Sequence, residues 1–170
     1  MKKLFIAILM SILIASSAFA AGSSISISGD DLIWNPALNR PVFRVITVIF
    51  TADDTNGAIP DLTLTTGATG LVHGTPIGWL GYAVFIDCNH AGTEPTENSE
   101  LYILDPVGGD MLGGQGLDQV DNTIERHVYF HNGSVPVKQP MVDTWTVRVT
   151  QQAVATNSAT GTIKIVMISD

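Results

Sequence analysis

Apolar residues recur at alternate positions over short stretches, and turn residues separate those stretches. Val42–Thr51 carries the strongest such signal. Val42, Ile46, Val48 and Phe50 fall on one side, and Phe43, Val45 and Ile49 on the other. That pattern fits a strand buried on both faces, or one that offers a face to a partner. Residues 25–28 alternate as Ile-Ser-Ile-Ser, and Asp61–Thr66 alternates Leu62 and Leu64 with polar neighbours. Trp79–Cys88 is an apolar run, Leu101–Leu104 a short strand and Thr123–His131 a longer one. In Asp143–Thr150, Trp145, Val147 and Val149 oppose Thr144, Thr146, Arg148 and Thr150. Thr160–Ser169 places Ile163, Ile165 and Met167 inward, with Thr162 and Lys164 outward.

Turn chemistry punctuates these runs. Asp53-Asp54-Thr55-Asn56-Gly57 and Asn132-Gly133 are turn signals. Ala91–Ser99 reads as a loop, and Pro106–Gly116 holds five glycines. The count is about eight or nine strands with no helical crossover to serve a parallel sheet. The expected fold is therefore all-β: a single antiparallel β-sandwich, Ig-like or jelly-roll-like. The one candidate for a helical turn is near Leu117–Asn122. Gly22–Asp31 is rich in Gly, Ser and Asp, and reads either as a first strand or as a loose N-terminal arm.

The N-terminus changes the picture of location. Lys2 and Lys3 precede an uncharged run from Leu4 to Ala15, and Ala18-Phe19-Ala20 forms an A-x-A cleavage site. The run is shorter than the roughly 20 apolar residues a spanning helix needs. Residues 1–20 thus read as a signal peptide and residues 21–170 as one domain, exported to the periplasm or outside the cell. Losing Lys2 and Lys3 leaves six Lys+Arg against sixteen Asp+Glu, a net charge of −10. That balance argues against nucleic acid, and against an anionic membrane surface once the signal is cleaved. The single cysteine, Cys88, permits no intrachain disulfide and reads as a buried small hydrophobe.

Candidate chemistry is sparse. Asp53–Gly57 lacks the ligand spacing of an EF-hand, because Ala52 and Thr63 stand at the first and twelfth positions. His127 and His131 are four apart, which on a strand separates their Cα atoms by roughly 13 Å, too far to share one zinc. His73 and His90 are isolated. Glu94, Glu97, Glu100, Asp105, Asp110 and Asp118 read as solvated loop acids rather than a facing catalytic pair. Leu101–Leu104 is expected to turn at Gly108-Gly109 and return through Asp110-Met111-Leu112, with Asp105 capping the turn. A weak calcium site at Asp105 and Asp110 is the alternative there. No catalytic, cofactor-binding or metal residue is assigned, and the chain is not expected to be an enzyme.

Several of these turns also form a pattern. Glu94-Pro95-Thr96 precedes Leu101-Tyr102-Ile103-Leu104-Asp105, followed by Gly108, Asp110, Leu112 and Gly114. Pro136-Val137, Trp145-Thr146-Val147 and Gly161-Thr162-Ile163 follow in order. From about residue 86 onward, roughly half the chain, the sequence resembles a family of small tailed-phage and prophage proteins. Ile103 stands where that pattern has Asp. The resemblance implies a virion- or tail-associated β-sandwich without catalytic residues, acting by packing against copies or protein partners. The expected function is thus a structural or assembly protein of phage-like origin, located in a virion if the resemblance holds. One alternative is an exported module binding a glycan or cell-surface partner through aromatics such as Trp34 and Trp79, although strand patterning favours core positions for Trp79 and Trp145. Another is a filament subunit that donates Ile25 and Ile27 to a neighbour's sheet edge.

Overall fold

The computed structural model describes residues 22–65, 67–88, 93–96, 99–120, 124–133, 135–151 and 156–169. The signal-peptide segment, His90, Glu97 and Thr123 lie outside the described residues, as do residues 91–92 and 98 of the Ala91–Ser99 loop and 121–122 of the Leu117–Asn122 turn. Nine strands form in chain order: β1 (Ser24–Asn35), β2 (Arg40–Thr51), β3 (Leu62–Leu64), β4 (Leu80–Asp87), β5 (Glu100–Leu104), β6 (Arg126–Tyr129), β7 (Gln139–Pro140), β8 (Trp145–Thr150) and β9 (Thr160–Ile168). No helix occurs among the described residues.

The strands make two antiparallel sheets. The larger has the order β1-β2-β9-β4-β6, with β7 also pairing β4, and the smaller has the order β3-β8-β5. Their facing sides share one core. Ile46, Val48, Val84, Ile86, Ile163, Ile165 and Met167 come from the large sheet, and Leu64, Leu101, Ile103, Trp145, Val147 and Val149 from the small one. The expected all-β sandwich is what the chain forms. The inward sets read from alternation in β8 and β9 are fully or almost fully buried, because one step in register would turn every side chain to the other face.

Two alternatives are decided and two expectations need correction. Residues 24–31 are not a loose arm; they pair with β2, and Ile27 and Asp30 are buried. β2 is not buried on both faces, since Phe43 and Ile49 point away from the core and are exposed. The return strand after Leu104 reduces to one bridge, Leu104–Asp110, and one bond from Met111 N–H to the Ile103 carbonyl. Asp110 explains this. Its carboxylate accepts from the N–H groups of Leu112 and Gly114 and bends the chain into successive turns. Finally, β6 is shorter than Thr123–His131, because the chain leaves the strand at Phe130, whose ring is wholly buried.

At the end of the sandwich where β2 finishes, Gln151 ties three loops. Its Oε1 accepts from Thr96 N–H at 3.1 Å and from Thr156 N–H at 3.0 Å. Its Nε2 donates to the carbonyls of Gly57 at 2.6 Å and Thr156 at 3.0 Å. Gln151→Glu keeps the size but replaces the donor with oxygen, so two carbonyls lose their partner. We expect a loss of about 1–3 kcal/mol in urea unfolding, and the more acidic variant unfolding at the wild-type midpoint would contradict this account.

Candidate assembly surface

Strand register places the outward side chains of the large sheet in rows. At one end lie Ile33, Phe43, Ile168 and Leu80, because Ile33 pairs with Phe43, Phe43 with Ile168, and Ile168 with Leu80. The next row runs Asp31, Val45, Val166, Ala83 and Tyr129. The third runs Gly29, Thr47, Lys164, Phe85 and His127. The outward face of an antiparallel sandwich sheet is normally polar. Here Ile33, Phe43, Ile49, Tyr82, Phe85 and Tyr129 are each 38–50% exposed. Across these rows the face carries one cation, Lys164, and the carboxylates Asp31 and Asp87 lie on β1 and β4.

The aromatic part of this face is locally organised. Tyr82 is the extra residue of a bulge between Gly81 and Ala83, which turns its ring toward Tyr129. Those rings meet edge to face at 5.6 Å and 76°. His127 meets Tyr129 edge to face at 5.9 Å and lies 6.0 Å from Phe85. These are favourable ring geometries within one surface. They also tilt the rings against each other, so they do not form the coplanar platform that stacks on sugar rings.

The same sheet extends a hairpin. β2–β9 pairing ends at Phe43–Ile168, while β1–β2 pairing continues to Asn35–Arg40. Among the described residues no third strand flanks the tip. The tip is nonetheless ordered by chemistry: Asn35 Oδ1 accepts from Ala37 and Leu38 N–H groups, and Asn39 takes a positive φ of 48°. It presents Trp34 and Leu38, both more than half exposed.

A buried ion pair holds the root of that hairpin. Arg44 Nε and Nη2 each donate to Asp30 at 2.8 Å. Arg44 also donates to the carbonyls of Gly74 at 2.6 Å and Thr75 at 3.1 Å, and His73 N–H donates to Asp30 at 2.9 Å. The two side chains are wholly or almost wholly out of water. Burial alone pushes the Asp30 carboxyl up. The Arg44 hydrogen bonds, the His73 N–H and the Arg44 charge outweigh it and hold the group below the usual carboxylate range. The loop thus fixed lies against β1, where Gly70 packs so near the Ile27 carbonyl that a Cβ would sit 2.6 Å from its oxygen.

The residues singled out from sequence do not converge on one site. Asp105 Oδ1 accepts from Val107 and Gly109 N–H groups, so its oxygen caps the turn as Asp110 caps the next. Glu100 accepts from the Tyr102 hydroxyl at 2.7 Å, and that bond pushes the phenol up to about 12. Among the described residues no three His, Cys, Asp or Glu side chains gather as metal ligands. His127 and His131 border one recess of ≈ 160 Å³, together with Gln115, Gln119 and Tyr129. Cys88 is buried in the core cluster, Trp145 is fully buried, and Trp79 is half-buried against the core. Of the three tryptophans, only Trp34 is exposed.

No family model, curated protein or solved structure matches this chain. The Arg44–Asp30 pair is not among the features read from sequence. Phe43, Val45 and Ile49 had signalled the face, as the second reading of that strand. A lone Arg on the inward side of an apolar strand signals a buried counter-ion, and Arg44 had that position.

Proposed function

We propose that this protein is a non-enzymatic structural protein that acts in assembly by packing its sandwich against other protein. The observation that carries this reading is the outward face of the large sheet, where six large apolar or aromatic residues are exposed together. Contiguous surfaces of this kind mark protein–protein contact. Aromatic enrichment with few charges is the composition of an interface core. The turn-motif resemblance to tailed-phage proteins supports the same class, and the signal-like N-terminus supports export.

A glycan-binding role fits less well, because the rings meet edge to face. Strand donation by Ile25 and Ile27 also fits less well, because both lie in a strand paired within this chain. In producing cells the protein should migrate in a complex larger than one chain on native gels. Phe85→Glu and Tyr129→Glu should release it while leaving its thermal unfolding within about 0.5 kcal/mol of wild type, as for exposed sites. Migration as a single chain, unchanged by either substitution, would sink the assembly reading.

A further inference from the structure

Resting on the assembly reading, we propose that the occupant of the outward face is a second copy of this chain, stacked face to face about a twofold axis. The dimension of the face is the first argument. Nine β2–β9 residue pairs at about 3.4 Å give roughly 30 Å, and five strands at about 4.8 Å give roughly 24 Å. β4 follows β9 over seven pairs and β6 follows β4 over four, so the face fills about 600 Å², the lower end of the roughly 600–1,000 Å² per partner of a stable interface.

Charge is the second argument. The whole chain carries sixteen acidic residues against eight basic ones, and such a surface repels its own copies over most of its area. The outward face is where that repulsion is least. Its third row offers Lys164 on β9, the central strand, and the row beside it offers Asp31 on β1. A twofold axis that lays β1 of one copy over β9 of the other therefore sets Asp31 of each copy opposite Lys164 of its partner. Shape is the third argument. Stacked sheets approach to about 10 Å when side chains interdigitate, and the outward rows combine bulky Phe43, Tyr82, Phe85 and Tyr129 with the small position Gly29. The resulting particle would have four layers, with the two large sheets inside and the two small sheets outside. Such a pairing is closed, so it yields a dimer rather than an open filament.

The test uses protein produced from the full-length sequence and purified alone. Light scattering against concentration should show a dimer. Phe85→Glu and Lys164→Glu should each weaken it about thirtyfold or more, the size expected at an interface hot spot. Val142→Glu, at a position 70% exposed and outside the outward rows, should leave it intact. A spin label on Ser26→Cys, at the flank of the face, should report a dipolar contact between copies that Phe85→Glu removes; Cys88 is buried and takes no label. A monomer at every concentration overturns the proposal, and so does a dimer indifferent to both charged substitutions. If the purified chain is monomeric but Phe85→Glu still releases it from a larger complex in cells, self-pairing falls and the assembly reading stands.

Discussion

Arg44→Ala should destabilise the fold by about 3–5 kcal/mol, the cost of leaving one member of a buried ion pair without its partner. Four acceptor contacts disappear at once: two to Asp30 and one each to the Gly74 and Thr75 carbonyls. Asp30 is then left in a site that water does not reach. Arg148 provides the contrast. It makes a similar bidentate contact to Asp61, but both side chains are about two-fifths exposed. Arg148→Ala should therefore cost at most about 1 kcal/mol. Replacing Arg44 and Asp30 together by apolar residues should recover only part of the loss, because the two loop carbonyls remain unpaired. Urea unfolding of the four proteins checks this order, and an Arg44→Ala loss no larger than that of Arg148→Ala would refute it.

The pair also gives the protein a sign for its acid response. Asp30 is held below its ordinary value of 3.8 in the folded chain, so the unfolded chain binds its proton more readily. The pair's contribution is complete above the unfolded value and declines as pH falls toward and through the lower folded value. Asp30→Asn should flatten that part of the acid unfolding profile while lowering stability at neutral pH. A variant that keeps the wild-type slope below pH 3.8 would locate acid sensitivity elsewhere.

Trp145→Ala should cost about 3–5 kcal/mol, the range for removing a large buried aromatic. Trp145 belongs to β8 and is 1% exposed. Its ring lies 5.3 Å from that of Phe130, and its Cη2 comes so near Gly81 of β4 that a Cβ there would sit 2.7 Å away. The residue therefore joins the small sheet to the large one, and its loss opens a cavity between the layers rather than at an edge. Gly81→Ala should fail for the opposite reason, by overpacking, at about 1–3 kcal/mol. Both substitutions face the core, so neither should alter association at folding conditions. Denaturation measured beside light scattering separates the effects. A Trp145→Ala loss under about 1 kcal/mol would mean that the two layers are not held together here.

Much of this architecture was legible without coordinates. The strands of Trp145–Thr150 and Thr160–Ile168 were read with the correct faces, because period-two alternation is a local property and each inward position is apolar. The turn at Asp53–Gly57 was also legible. Asp53 accepts from Thr55 and Asn56 N–H groups, and such side-chain bonds span only two or three residues. The hairpin after Leu104 was overread, since the same Asp chemistry that signals one turn makes a second turn at Asp110.

Sequence by itself determined most of the strand stretches, which parity of β8 and β9 would face inward and several of the reversals, but not β7 or the β1–β2 hairpin tip. Those it determined follow from backbone preferences and burial of neighbours along the chain. Only the tertiary structure decided the features with functional weight. A bulge between Ile27 and Gly29 changes the inward parity of β1 and brings Asp30 to the core side beside Arg44, and this irregularity arises from pairing with β2. The apolar outward face likewise depends on which strands become neighbours, since Phe43, Val166 and Tyr129 are far apart in the chain. Alternation tells a strand which of its sides differ; only the packing of the second sheet determines which apolar side is covered and which remains available.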